Sequence, residues 1–71
     1  MLQGIVEKSG TFYYYELGKV NAKGLFFLDG YYYYAVDGGK LITNQSYTIT
    51  NGNDLLLETT YTFNELGQII G

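Results

Sequence analysis

The sequence predicts an all-β protein made of stacked β-hairpin repeats, a β-solenoid of about three units. Three observations lead to this fold class. The chain repeats itself at an offset of 20 residues, dipeptides typical of hairpin turns recur along it, and tyrosine and β-branched residues dominate between those turns. No helical period competes with this pattern.

The repeat is clearest between the first two units. The offset sets Ile5 on Leu25, Val6 on Phe26, Gly10 on Gly30, Phe12 on Tyr32, Tyr14 on Tyr34 and Gly18 on Gly38. A third copy matches Tyr34 to Phe63 and Gly38 to Gly67, and it alone carries an inserted segment, NGNDLLLET. We interpret residues 1–71 as a single repeat module, with units at 4–23, 24–44 and 45–71, from a longer repeat protein.

Turn dipeptides divide each unit into strands. Ser9-Gly10, Asp29-Gly30 and Asn51-Gly52 are typical of two-residue hairpin turns of type I′ or II′. Residues 53–58 could form one irregular helical turn. Gly39 has no counterpart in the first unit, which indicates a bulge there.

Alternation along the strands predicts two faces of aromatic residues. In TYTFN, Tyr61 and Phe63 alternate with polar residues, so these two should point inward. Carried back through the repeat, this phase gives a buried set: Phe12, Tyr14, Tyr32, Tyr34, Tyr61 and Phe63. The outward set is Tyr13, Tyr15, Tyr31 and Tyr33, and these four tyrosines are the candidate ligand-binding residues.

Two interpretations of the outward tyrosines stay open. Cross-strand aromatic pairs stabilise a sheet by themselves, and the tyrosine hydroxyl suits a half-exposed face. Alternatively, the exposed rings form a platform for sugar rings or a protein partner, edged by polar groups such as Asp29, Asp37, Asn44 and Asn51. The same four polar residues are also ordinary turn residues.

Composition excludes several function classes. The chain has no cysteine and no histidine, which removes disulfides, thiol nucleophiles and the usual zinc ligands. Four basic against seven acidic residues give a net charge of −3, so neither nucleic acid nor an anionic membrane surface is an expected partner. No apolar run is long enough to span a bilayer. We predict no catalytic residues, no metal site and no cofactor.

The motifs also resemble a known family. A glycine and a short apolar segment, then Asp-Gly or Ser-Gly, then tyrosines followed by ELGK or DGGK, resemble the cell-wall-binding repeat superfamily of Gram-positive bacteria. That superfamily includes choline-binding repeats, glucan-binding repeats and the carboxy-terminal repeats of clostridial toxins. Gly4-Ile5 and Gly24-Leu25 stand where its choline-binding members have Gly-Trp, which makes this chain more similar to the toxin type.

The resemblance implies a function and a location. It implies a non-catalytic module, extracellular or on the cell surface within a longer secreted chain, that binds cell-wall polysaccharide, glucan or another carbohydrate. The alternative is a structural spacer or a self-associating stalk without a small ligand. The apolar ends MLQGIV and LGQIIG lead us to expect that neighbouring repeats or further copies of the chain cover Ile5, Ile69 and Ile70.

Overall fold

The protein folds as a row of antiparallel hairpins. The structure is a computed structural model and describes residues 4–71. Its elements are β1 (Gly4–Lys8), β2 (Thr11–Glu16), β3 (Lys19–Val20), β4 (Gly24–Leu28), β5 (Tyr31–Ala35), a 3-10 turn (Asp37–Gly39), β6 (Gln45–Thr48) and β7 (Thr60–Phe63). They pair as β1–β2–β3, β4–β5 and β6–β7, which we call hairpins 1, 2 and 3. No α-helix occurs in residues 4–71, and the predicted all-β fold of hairpin repeats is confirmed.

The first two hairpin turns form at the predicted dipeptides. Ser9 and Gly10 have φ values of 52° and 80°, and Asp29 and Gly30 have values of 51° and 88°. Positive φ at both central residues is the backbone of a type I′ turn, whose twist matches that of the flanking strands. The sequence therefore fixes both reversals locally.

The predicted two-residue turn at Asn51-Gly52 is wrong. Thr48 lies opposite Thr60, so hairpin 3 reverses through the whole of residues 49–59. Asn51 is held to hairpin 2 instead, since its carbonyl accepts a hydrogen bond from the Leu25 amide at 3.0 Å. The irregular turn lies just beyond it, where the Leu55 amide bonds to the Gly52 carbonyl at 2.8 Å.

Each hairpin continues into an exit segment (19–21, 40–42 and 68–70), which makes one backbone contact after hairpin 1 and two after hairpins 2 and 3. The first contact is to the second strand of its own hairpin: Asn21 N–H to the Tyr14 carbonyl (2.9 Å), Ile42 to Tyr34 (3.0 Å) and Ile70 to Thr62 (2.9 Å). The second is to the preceding hairpin: Leu41 N–H to the Phe12 carbonyl (3.0 Å) and Ile69 to Tyr32 (2.9 Å). This repeated pair of contacts holds the hairpins in a stack.

The same hydrogen bonds show how hairpin 3 corresponds to hairpin 2. Thr62 takes the place of Tyr34, since the backbone carbonyl of each accepts a hydrogen bond from the exit segment of its own hairpin. Gly67 takes the place of Gly39, since each backbone amide donates to the carbonyl three residues earlier: Gly67 to Asn64 at 3.0 Å and Gly39 to Val36 at 2.8 Å. The sequence-based matches of Phe63 with Tyr34 and of Gly67 with Gly38 are each wrong by one residue. A run of adjacent tyrosines matches equally well in two registers.

Hairpin 2 is packed on both faces. Phe26 and Tyr33, which pair across β4 and β5, join Tyr14 in a buried cluster between hairpins 1 and 2. On the opposite face, Leu25 and Tyr34 join a second cluster with Ile42, Ile49 and Phe63, between hairpins 2 and 3. Stacking therefore builds the core from rows of side chains that no single hairpin could bury.

The predicted buried set is largely confirmed, because Tyr14, Tyr34 and Phe63 are buried and its other members are half-buried, but only Tyr31 of the predicted outward set is exposed. Tyr15 and Tyr33, expected outside, are each 7% exposed, as is Tyr14. Tyr31 is 48% exposed, and Tyr13 is half-buried. Tyr33 and Tyr34 lie in different core clusters, because a strand stacked between two neighbouring hairpins is buried on both faces.

The extra glycine of the second unit lies in a turn, not in the predicted bulge. Gly39 ends the 3-10 turn with a φ of +76°. A Cβ there would lie 2.9 Å from both the Tyr14 carbonyl oxygen and the Asn21 amide nitrogen. Hairpins 1 and 2 approach so closely here that only glycine fits.

The terminal isoleucines differ in exposure. Ile5 and Ile69 are half-buried and pack against the two core clusters, whereas Ile70 is 63% exposed. Residues 1–3 of the apolar MLQGIV stretch lie outside the described residues. Coverage of these ends by other repeats or copies stays a prediction, as do the unit limits drawn from the sequence.

Candidate functional site

A cleft of about 520 Å³ lies where the three units meet. Hairpin 1 contributes Gly4, Ile5, Phe12 and Tyr14, hairpin 2 contributes Leu28, Asp29 and Tyr33, and the segment after β7 contributes Leu66 and Gln68. Three aromatic rings thus face a space edged by a carboxylate and an amide. Ligand pockets in proteins commonly have this make-up of apolar walls with few polar groups.

The aromatic wall of the cleft is held by the stacking of hairpins 1 and 2. Phe26 lies behind it, with its ring centroid 4.3 Å from Tyr14 and 5.5 Å from Tyr33. Phe12 is half-buried and packs against the same cluster. The rings are therefore fixed before any ligand arrives, which lowers the entropy cost of binding.

Gln68 is positioned at the cleft by the turn after β7. The backbone amide of Gln68 donates to Asn64 Oδ1 at 2.9 Å. The side-chain amide of Asn64 donates in turn to Gln68 Oε1, also at 2.9 Å. The side-chain nitrogen Nε2 of Gln68 donates to the Tyr33 hydroxyl at 3.4 Å. A polar edge thus joins hairpin 3 to the aromatic wall.

Asp29 gives the cleft its charge. It is the one acidic side chain among the described lining residues, and no lysine is among them. Its backbone belongs to the type I′ turn of hairpin 2. A carboxylate at this edge accepts hydrogen bonds from ligand hydroxyls and also favours a cation over an anion.

The sequence-predicted site residues do not form one surface. Tyr33 lines the cleft, but Tyr13 and Tyr15 lie on the side of hairpin 1 that faces away from hairpin 2. The Lys8 ammonium group donates to the Tyr15 hydroxyl and lies 4.8 Å from its ring centroid. Tyr31 stands near the turn of hairpin 2 and does not line this cleft.

Sequence reasoning missed most of the cleft. It assigned Phe12 and Tyr14 to the core alone and did not single out Leu66 or Gln68. No sequence pattern indicated Gln68, since its equivalence to Lys40 is visible only in the hydrogen bonds from the Asn64 and Val36 amides to the Gln68 and Lys40 carbonyls. Asp29 was considered as a polar edge, and the structure places it there.

A second cleft of about 510 Å³ lies beside the insertion. Phe27, 54% exposed, and Leu55, 43% exposed, stand at it with Lys23 and Asn53. Lys23 is 3.7 Å from a Glu16 carboxylate oxygen, so its charge is already partnered. Asn53 holds the insertion in place by donating to the carbonyls of Lys23 and Leu25 at 2.9 and 2.7 Å.

The Tyr34 hydroxyl anchors the other end of the insertion. It accepts hydrogen bonds from the backbone amides of Thr50 (3.1 Å) and Asn51 (3.2 Å), and the Thr50 hydroxyl lies at 3.4 Å. Burial raises the pKa of Tyr34, but these hydrogen bonds outweigh burial, so the pKa lies below its ordinary value. Tyr34 thereby connects hairpin 2 to the loop that gives unit 3 its extra length.

The stacked hairpins define the class of fold: a choline-binding-like repeat. The structure is similar to the crystal structure of the choline binding domain of Spr1274 in Streptococcus pneumoniae, with a TM-score of 0.73 and 21% sequence identity. The similarity covers 97% of this chain and 75% of that one. No protein-family model and no curated protein matches the sequence. The suspected relationship to choline-binding-like repeats is confirmed at the level of the fold.

Proposed function

We propose that this protein is a non-catalytic binding module for cell-surface carbohydrate, and that its ligand occupies the cleft between Phe12, Tyr14 and Tyr33. The observation that carries the proposal is the cleft itself: fixed aromatic rings with the polar groups of Asp29 and Gln68 at their edge. Sugar rings offer apolar C–H faces and peripheral hydroxyls, which fit flat rings and hydrogen-bonding edges respectively.

The comparison with a solved choline binding domain supports a binding role and leaves the ligand to be measured. A choline-bearing polymer is the other candidate, because aromatic rings attract quaternary ammonium groups. Three features favour sugar in this cleft: tryptophan is absent, Ile5 and Leu28 supply aliphatic walls, and the Gln68 amide offers directed hydrogen bonds. We therefore place carbohydrate first.

The proposal includes a setting for the module. We infer that units 4–23, 24–44 and 45–71 form one repeat module of a longer secreted chain at a bacterial surface. In the part of the chain that the structure describes, no helix has the length and apolarity to cross a membrane.

The test is binding of the chain to immobilised glycans and purified wall polysaccharides, with soluble choline as a competitor. Phe12→Ala and Gln68→Ala should each weaken binding about tenfold, since the loss of one aromatic or hydrogen-bonding contact of about 1.4 kcal/mol has that effect. Competition by choline and not by sugars would identify the ligand as a quaternary ammonium.

The matched controls are exposed aromatic residues away from the cleft. Phe27→Ala and Tyr31→Ala remove rings that are 54% and 48% exposed, and neither lines this cleft. Both variants should bind like the unaltered chain. If Tyr31→Ala abolishes binding and Phe12→Ala does not, the ligand lies at the exposed Tyr31 ring of hairpin 2, and the cleft proposal is wrong.

A spacer or self-associating segment is the second candidate function. One observation favours it: Ile70 is 63% exposed, although its counterpart in hairpin 2, Ile42, is 7% exposed. In this function the hairpin stack supplies reach and rigidity, and other repeats cover the apolar ends.

A further inference from the structure

The contact between successive hairpins has a donor half and an acceptor half. The donor is an exit-segment amide, that of Leu41 or Ile69, and the acceptor is a carbonyl on the preceding hairpin, that of Phe12 or Tyr32. The contact occurs twice within the chain with bond lengths of 3.0 and 2.9 Å. The two ends of the stack carry the complementary halves of a third such contact.

The donor half recurs at the hairpin 1 end. Val20 precedes Asn21 just as Leu41 precedes Ile42 and Ile69 precedes Ile70, so Val20 is the equivalent donor residue. Asn21 N–H points to Tyr14 on β2, and the amides of an antiparallel strand alternate in direction. The Val20 N–H therefore points away from β2, and its side chain is 46% exposed.

The acceptor half recurs at the hairpin 3 end. The acceptors Phe12 and Tyr32 each stand two residues before Tyr14 and Tyr34, which bond to their own exit segments. Thr60 stands two residues before Thr62 in the same way. Because backbone groups two residues apart on a strand point the same way, the Thr60 carbonyl faces the side of β7 on which the exit segment lies.

We propose that copies of this chain associate head to tail, with the Val20 amide of one copy donating to the Thr60 carbonyl of the next. The partner is a second copy, because its hairpin 1 carries the donor and this chain's hairpin 3 carries the acceptor of a contact already made twice internally. The association covers Ile70 with the outer side of hairpin 1, where Val6 and Tyr13 are half-buried. Such a heterologous contact does not close on itself and extends the solenoid linearly.

The outer face of hairpin 3 makes this association weaker than the internal contacts. It presents Ser46, Thr48, Thr60 and Thr62, where hairpin 2 has Leu25 and Tyr34. The hydroxyls of Thr48 and Thr60 lie 2.7 Å apart and those of Ser46 and Thr62 lie 3.4 Å apart, so covering them leaves them partnered. The association between copies therefore buries less apolar area than the internal contacts, so assembly requires a high protein concentration.

The test uses one defect at each end. Val20→Asp damages the donor end and Ile70→Asp the acceptor end. Sedimentation over a concentration series should show the unaltered chain assembling and each variant remaining monomeric, with affinity reduced at least about tenfold, the effect of 1.4 kcal/mol. An equimolar mixture of the two variants should form dimers and nothing larger, because each supplies the intact end that the other lacks.

Leu57→Asp is the matched control. It introduces the same charge at a residue that is 82% exposed and belongs to neither end, so this variant should assemble like the unaltered chain. Amide exchange on the unaltered chain gives a second readout that holds even where a variant misfolds: exchange at Val20 should slow with concentration, while Asn21, already bonded to Tyr14, should not change.

Three outcomes overturn the proposal. They are a monomer at the highest concentration reached, a variant mixture that stays monomeric while the unaltered chain assembles, and unchanged assembly of both variants. None of these outcomes bears on the carbohydrate cleft, which lies between hairpins within one copy.

Discussion

The hydroxyl of Tyr34 accepts a hydrogen bond from the backbone amide of Thr50 at 3.1 Å, which ties hairpin 2 to the insertion of hairpin 3. The Asn51 amide donates to the same oxygen at 3.2 Å. A single phenol oxygen thus satisfies two loop amides that have no strand partner. Loss of this oxygen should loosen the insertion while leaving the hairpins paired.

Tyr34→Phe should lower the free energy of unfolding by about 1 to 2 kcal/mol, because two amides lose their acceptor while the ring stays packed. Urea unfolding followed by tyrosine fluorescence measures the change. Tyr31→Phe removes a hydroxyl from a ring that is 48% exposed and should change stability by less than about 0.5 kcal/mol. Equal effects of the two substitutions would contradict the anchoring role.

The contribution of Tyr34 should grow with pH. Its pKa is lowered from the ordinary value of 10.0, so the folded protein binds the ionised form better than the unfolded chain does. The extra stability appears as pH rises through the folded pKa and is complete above the unfolded value. The difference in unfolding free energy between the unaltered chain and Tyr34→Phe should therefore be larger near pH 10 than at pH 7, and a difference that shrinks with pH would contradict this assignment.

Gly39→Ala should destabilise the protein much more than Gly38→Ala. Both residues have positive φ, +76° and +80°, which costs an alanine about 1 to 2 kcal/mol. The new methyl group at Gly39 would also meet backbone atoms of Tyr14 and Asn21 at 2.9 Å, whereas nothing lies within 4 Å at Gly38. Thermal unfolding of the two variants isolates the cost of the close approach between hairpins 1 and 2, and similar melting temperatures would show that no such approach exists.

Asn53→Gly should release the insertion from hairpin 2. Glycine keeps the left-handed backbone at φ 50° but removes the amide that bonds to the Lys23 and Leu25 carbonyls. Limited proteolysis should then cut within residues 51–58 faster than in the unaltered chain. Asp54→Gly, at φ 62° and exposed, removes no side-chain hydrogen bond to hairpin 2 and should not speed cleavage. A matching rise in cleavage for both variants would assign the effect to glycine flexibility alone.

The candidate site was only partly predictable from the sequence. Tyr33 and Asp29 were considered for ligand contact, because a tyrosine run beside an Asp-Gly turn is visible in the sequence alone. Phe12 and Tyr14 were assigned only to the core, and Gln68 was not considered at all. A cleft made by three units depends on which residues stacking brings together, and no local pattern in one unit contains that information.

What the sequence determined by itself is local: the all-β class, the hairpin repeat and the turns at Ser9-Gly10 and Asp29-Gly30, where two residues suffice to set the backbone. The tertiary structure alone decided the register of the third hairpin, the burial of Tyr15 and Tyr33, and the long reversal after Thr48. In each of these the deciding partner lies in another part of the chain, such as the Leu25 amide that engages Asn51. Adjacent tyrosines are chemically identical, so only contact with a neighbouring hairpin distinguishes one from the next.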